Sequence, residues 1–272
     1  MAKQRRVRKA ADGAPPKGGA AGATAPASAA ARAASYVAAP IPLAADGARG
    51  VIRENNEARL LEAAETVFAE RGFQGATTAA IATCAGLPKA NLHYYFRTKE
   101  ALYRAVLANV LSLWLDELDR FTPDRDPAEA VAEYVVAKMR WSRVRPNASK
   151  VFANEILHGA PFLSGYLTLD LRRRVEGKAA VIRQWIKAGK MVPVEPKHLI
   201  FHLWAVTQHY ADFEVQVRAV LGREKLTEAD FAAAAETITT LVLHGCLPEG
   251  ARAGARAPVP AAVAAPGRRR PG

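Results

Sequence analysis

Residues 77–104 read TTAAIATCAGLPKANLHYYFRTKEALYR, and the punctuation of this stretch decides the fold. Thr77 and Thr78 are candidate N-caps of a short helix through Ala85, because a hydroxyl accepts from backbone N–H groups that have no partner in the first turn. Gly86 breaks that helix, and Pro88 suits the first turn of a second short helix through about Phe96. Two short helices joined at Ala85-Gly86-Leu87 have the form of a helix-turn-helix, where glycine permits the sharp turn. Ile81, Ala85, Leu87 and Leu92 are spaced to face a preceding helix. Lys89, Ala90, Asn91, His93, Tyr94 and Tyr95 then divide between groove, backbone and core. Lys89 can donate to guanine O6/N7, and Asn91 can pair with adenine. Thr77, Thr78 and Lys99 sit at helix N-termini, where hydroxyls, backbone N–H groups and an ammonium can hold phosphates. Four basic residues (Lys89, Arg97, Lys99, Arg104) against Glu100 make the stretch locally basic. The plain alternative is a helical hairpin whose Tyr and His side chains only pack.

Upstream, Leu60, Leu61, Ala64, Val67 and Phe68 form the three-and-four stripe of a helix from about Glu54 to Arg71. Gly72 supplies its stop, with Phe73 placed to pack back over the last turn. Downstream, Thr98 caps a fourth helix that runs through Leu102, Val106, Val110, Leu113 and Leu118, with Glu100 near its positive end. Helical patterns recur at about 127–145, 147–158, 162–189, 196–220 and 228–246, separated by proline and glycine breakers, and no strand-length alternation falls between them. The expectation is an all-α protein: a helix-turn-helix head over 53–97 and a helical body over 98–248.

The 272 residues carry a formal net charge of +12, but residues 1–50 hold +6 of it and 249–272 hold +4. Both ends are Ala-, Pro- and Gly-rich with few large apolar side chains, so 1–52 and 249–272 are expected to be disordered basic tails. They are either solubilising or salt-sensitive phosphate-binding arms. Lys3, Arg5, Arg6, Arg8 and Lys9 are followed by no apolar core of an export signal, and no run of about 18 apolar residues exists to span a membrane. A cytoplasmic setting is expected, nucleoid-associated when DNA is bound. Cys84, expected to face inward, and Cys246 are too few for a disulfide framework or a thiolate metal site.

The pattern Thr77-x3-Ile81-Ala82-x2-Ala85-Gly86-Leu87, then Leu92-x2-Tyr95-Phe96-x2-Lys99-x2-Leu102, resembles the TetR family of bacterial transcriptional regulators. His93 stands where that family usually has Tyr, and Pro88 where it usually has a Ser cap. The resemblance implies a sequence-specific regulator, not an enzyme, with a body that dimerises and binds an effector. The last two helices would form the dimer interface, placing two heads about one DNA turn apart on double-stranded pseudo-palindromic operator DNA.

Within the body, His198-Leu-Ile-Phe-His202-Leu-Trp204-Ala-Val-Thr-Gln208-His209-Tyr210-Ala-Asp212-Phe213 resembles the pyrimidine-utilisation (Rut-type) members of the family. Leu113-Trp114-Leu115, Ser142 and Glu155-x3-Gly159-Ala160-Pro161 agree with this. The resemblance implies a uracil or thymine effector and control of pyrimidine degradation; a repressor of another regulon with a different hydrophobic or heterocyclic effector is the alternative. Trp204 and Gln208 share a helix face, and the Gln208 amide offers one donor beside one acceptor, as an imide edge requires. Trp114 and Trp204 either wall a flat ring or pack as ordinary core. No cofactor is implied. His198 and His202 at i,i+4, with His158 and His209 elsewhere, raise a metal enzyme as a rival, but no HExxH pattern or carboxylate constellation accompanies them. A nonspecific nucleic-acid coat driven by the tails is the other rival.

Overall fold

The computed structural model describes residues 47–252, with side chains described from Arg53. Helices follow one another as α1 (Gly47–Gly75), α2 (Thr78–Ala85), α3 (Lys89–Tyr95), α4 (Lys99–Asp119), α5 (Pro127–Val144) and α6 (Pro146–Leu157). One turn at Ser164–Tyr166 and a π turn at Leu167–Leu171 lead into α7 (Arg172–Lys187). The chain ends its described part with α8 (Pro196–Asp212), α9 (Glu214–Leu221), α10 (Glu228–Cys246) and the short α11 (Glu249–Arg252). No strand occurs among the described residues.

The starts of these helices are set by short polar side chains. Thr77 accepts from Ala80 N–H at 3.1 Å, Thr98 from Ala101 N–H at 3.0 Å and Asp126 from Ala128 N–H at 2.9 Å. Thr227 and Asp230 form a reciprocal capping box on α10. Gly72 takes positive φ (65°) and kinks α1 three residues before its end, and Gly86 (62°) is the left-handed cap that closes α2.

Several sequence expectations need correction. Helix α1 starts at Gly47 rather than near Glu54, since no proline lies between Pro42 and Pro88 to stop it. Residues 249–252, assigned to a tail, are helical, and the Arg252 guanidinium caps Leu247 C=O at 3.0 Å. The rest of both expected tails, 1–46 and 253–272, lies outside the described residues. Pro88 is the N-cap of α3, not a residue of its first turn. Cys84 is exposed, because α2 buries Ile81, Ala82 and Ala85 and turns Cys84 away from them. The pattern over 196–220 breaks at Phe213 (φ −113°, ψ 30°). There α6 holds the chain from both sides, Ser149 donating to Asp212 at 2.5 Å and Lys150 pairing with Glu214 at 3.0 Å.

Two apolar clusters carry the packing. One gathers α5, α7, α8 and α10 around Trp185, Phe121, Tyr134 and Ile200. The other joins Leu60, Phe68, Ile81 and Leu92 of the first three helices to Leu107 and Leu111 of α4 and to Val151, Leu163 and Tyr166. The head therefore shares its core with α4, α6 and the segment after α6, so displacement of those elements is felt in the head.

Candidate DNA-reading surface and effector chamber

Helix α3 buries Leu92 and, at its end, Phe96, which fixes what it shows to solvent. Lys89, Ala90, His93 and Tyr94 are exposed, Tyr94 at 71% of its surface, while Asn91 and Tyr95 are half-buried on the flank. Four of the expected contact residues, Lys89, Ala90, His93 and Tyr94, therefore share one exposed ridge, with Asn91 and Tyr95 set back from it. Tyr94 meets Tyr95 edge to face at 5.1 Å, and the Arg53 guanidinium lies 6.0 Å from the Tyr94 ring centre. Thr77 is exposed with its hydroxyl accepting as the α2 cap, and Thr78 is half-buried.

Lys99 behaves differently from its expected phosphate role. Its ammonium donates to Phe73 C=O at 2.7 Å and Ala76 C=O at 2.9 Å, approaches Gln74 C=O at 3.4 Å, and lies 4.5 Å from the Phe73 ring centre. The charge is spent on carbonyl groups at the end of α1, so Lys99 pins α4 to the α1–α2 turn. Arg59 does the same from the other side, its Nη2 donating to Ala85 C=O at 2.8 Å. Its role was missed because nothing in local spacing signals a bond across 26 residues of chain.

In the body, Trp114 on α4 packs edge to face on Phe152 of α6 at 5.1 Å. The Lys138 ammonium of α5 lies 3.7 Å from the Trp114 ring centre. One turn earlier on α5, the Tyr134 hydroxyl is beside the Trp204 indole of α8. Ser142, one turn later, ties α5 to α8 by donating to Thr207 C=O at 2.9 Å. Trp204, Gln208 and Asp212 follow at four-residue steps on α8, so they share a stripe, with Asp212 held by Ser149.

Lys138 is only 1% exposed. Burial brings its pKa down to about 7, with Asp212 and then Glu117 pulling the other way. Burial raises the Asp212 carboxyl above its ordinary value, against hydrogen bonding from Ser149 and the charge of Lys138. Burial likewise pushes the Tyr134 phenol well up. The Tyr134 hydroxyl is buried with no well-formed hydrogen bond among the described residues, whereas Glu117 pairs with Arg120 Nε at 3.2 Å through Oε2 and accepts from Trp141 Nε1 at 3.3 Å through Oε1. Helices α4, α5, α6 and α8 thus bring Trp114, Phe152 and Trp204 around a buried cation and one unpartnered phenol hydroxyl, chemistry that a small-molecule site also uses. Sequence reading missed Lys138, although a lysine within the buried stripe Val131-Tyr134-Val135-Met139-Ser142 was a legible signal.

A separate cleft of about 370 Å³ opens where head meets body, lined by Tyr95, Phe96, Arg104, Ala105, Phe162 and Tyr166. Trp114, Trp204 and Gln208 do not line it. Among the described residues no helix is long and apolar enough to cross a membrane, and no three His, Cys, Asp or Glu side chains gather as a metal site. His198 and His202 are both exposed.

A helix-turn-helix head with an exposed polar ridge, joined to a larger helical body, defines the class of DNA-binding regulators. Residues 60–106 match the family described as bacterial regulatory proteins, tetR family, and residues 107–249 match the YcdC-like protein C-terminal region. The chain is 44% identical over 189 residues to the HTH-type transcriptional regulator RutR of Escherichia coli K12, covering 70% of this chain and 89% of that one. It is 28% identical over 145 residues to the HTH-type transcriptional repressor NicS of Pseudomonas putida KT2440, covering 53% and 68%. Among solved structures, the ketosteroid transcriptional regulator KstR2 of Mycobacterium tuberculosis aligns with a TM-score of 0.54 at 20% identity, covering 71% and 95%. AibR in complex with isovaleryl coenzyme A and operator DNA aligns at 0.51 and 17%, covering 68% and 97%. The chain belongs to the TetR family of bacterial transcriptional regulators. It is a DNA-binding regulator of transcription rather than an enzyme, in a family whose members act as dimers on operator DNA and respond to small effectors.

Proposed function

We propose that this regulator binds uracil or thymine in the chamber between α4, α5, α6 and α8, and that binding lowers its affinity for the operator of pyrimidine-degradation genes. The observation that carries this reading is the buried Lys138 ammonium against the Trp114 ring, with Tyr134 one turn earlier on α5 and Trp204 of α8 beside the Tyr134 hydroxyl. A pyrimidine presents two carbonyls flanking an N–H on a flat ring. The Gln208 amide supplies an acceptor for the N–H and a donor for one carbonyl, Lys138 donates to the other, and Trp114 and Trp204 cover the faces. The likeness to RutR over most of both chains supports the same reading.

On the DNA side, the proposed contact set is Thr77, Thr78, Lys89, Ala90, Asn91, His93, Tyr94 and Tyr95. Lys99 positions the head instead of holding a phosphate. We assign the head to 53–97 and the body to 98–248, with basic flanks at both ends. The dimer is proposed to form through the last long helices, α8 and α10, where Phe201 and Leu241 are exposed, with Phe213, Val220 and Leu221 exposed on the intervening break and short α9, Val220 at 80%. A cytoplasmic protein, on the nucleoid when DNA-bound, is the corresponding setting. Capture by the chamber couples to the head by linkage, and couplings of about 1–3 kcal/mol give roughly a 5–150-fold loss of operator affinity.

Thermal melting with uracil tests the effector assignment. At a uracil concentration about 100-fold above Kd, stabilisation of about 2.7 kcal/mol is expected in the wild type. Gln208→Ala should lose most of it. Equal melting with and without uracil contradicts the assignment.

A further inference from the structure

The loop after α6 grips the head through one residue, Phe162. Its backbone N–H donates to the Glu155 carboxylate of α6 at 2.6 Å, and its C=O accepts from Arg104 Nη1 of α4 at 2.7 Å. Its ring reaches Phe73 of the head, 4.6 Å between ring centres, and packs on Tyr103 of α4 at 5.2 Å. Arg104 lies 5.1 Å from the Phe162 ring centre as well. Glu155 is 3% exposed and faces the Tyr103 phenol of α4, whose pKa is raised by burial first and then by the neighbouring Glu155 carboxylate, so one buried carboxylate stands between the loop and α4. Ala160, two residues before Phe162, has φ 55°, a left-handed backbone that a non-glycine residue adopts only when its surroundings impose it.

Both ends of this grip lead to working parts. Toward the head, the Phe73 ring is held between Phe162 and the Lys99 ammonium, and Phe73 lies four residues before Thr77, the cap of α2. Toward the body, Glu155 is one turn beyond Phe152, which packs on Trp114, and two turns beyond Ser149, which holds Asp212. Helix α6 therefore touches the chamber with one end of its face and the head with the other. The cleft of about 370 Å³ beside Phe162 and Arg104 leaves room for the loop to shift, which a close-packed junction would resist.

We infer that Glu155 and Phe162 are the positioning residues that carry the chamber's state to the DNA-reading head. Neither touches DNA or effector. Movement of α6 at Phe152 and Ser149 is passed by the Glu155 carboxylate to Phe162, and by the Phe162 ring to Phe73 and the start of α2. The effector arm of this inference rests on the pyrimidine reading above; the link between α6 and the head does not.

The test uses the full chain and a duplex that the wild type has selected from random sequence. In the wild type, operator binding should slow amide exchange in residues 148–157, and uracil should weaken operator binding by roughly 5–150-fold. Phe162→Ala should keep operator binding and, by calorimetry, uracil binding, each within about threefold, while the exchange response in 148–157 disappears and the uracil effect falls below about twofold. Tyr103→Phe removes only the hydroxyl that meets Glu155 and should show a partial loss of both responses, which keeps the test decisive should the alanine variant misfold. A structural role alone would lower both binding affinities and leave the coupling ratio intact. Undiminished coupling in Tyr103→Phe and Phe162→Ala, or no exchange response in the wild type, overturns the inference. If uracil leaves wild-type operator binding unchanged, the pyrimidine reading fails and the exchange experiment alone decides this one.

Discussion

Replacing Lys138 with methionine should stabilise the free regulator at neutral pH and make it deaf to uracil. Burial lowers the Lys138 pKa more than Asp212 and Glu117 raise it, so the fold holds this charge at a net cost. Methionine has similar length and no charge, and relief of about 1–3 kcal/mol is expected, within the range for replacing buried ionic groups by apolar ones. The sign of the pH dependence follows. A lysine titrating near 7 when folded, against about 10.4 when unfolded, binds fewer protons in the native state between those values. Wild-type stability therefore gains as pH rises from about 7 toward 10, by up to about 1.4 kcal/mol per unit from this group, and Lys138→Met should lack that gain. Urea unfolding at several pH values measures it. The same proton governs the effector: the charged ammonium donates to a ring carbonyl, so uracil affinity in the wild type should weaken as pH rises above about 7. Losing a charged donor costs about 1.5–3 kcal/mol, roughly 10–150-fold in uracil affinity by calorimetry. A variant that binds uracil as the wild type does would remove Lys138 from the chamber's chemistry.

The second large effect is on DNA. Lys89 is the first residue of α3 and exposed, on the ridge shared with Ala90, His93 and Tyr94. Lys89→Ala should weaken operator binding by about 1–3 kcal/mol, or roughly 5–150-fold, in a fluorescence-anisotropy titration. A base contact would relax preference at one guanine; a phosphate contact would weaken all sequences alike and lower the salt slope by about one. Unchanged affinity and unchanged slope would take Lys89 out of the contact set. Fold stability should barely move, since the side chain is exposed and no cap depends on it.

Local signals account for most of what could be read before the structure. Caps at Thr77, Thr98, Asp126 and Thr227, the kink at Gly72 and the left-handed cap at Gly86 mark helix boundaries by chemistry that acts within four residues, so the helix order was legible. Cys84 was misplaced because an eight-residue helix offers too few apolar positions to fix its phase. The break at Phe213 depends on Ser149 and Lys150, more than sixty residues earlier. Lys99 looked like a phosphate ligand because it begins a helix; only the tertiary approach of α1 reveals the carbonyls that occupy it. Trp204 and Gln208 were visible as an i,i+4 pair and Lys138 as a lysine inside an apolar stripe, but only the packing of α5 against α4 sets the Lys138 ammonium on the Trp114 ring. Phe162 carries no sequence signal of its function, since its partners lie on α1, α4 and α6.

The most direct trial of the account is the affinity of the full-length protein for its selected duplex, measured by anisotropy with and without saturating uracil at one fixed salt concentration. The account predicts a rise in Kd of roughly 5–150-fold with uracil. An identical Kd under both conditions, with uracil shown by calorimetry to be bound, would contradict it.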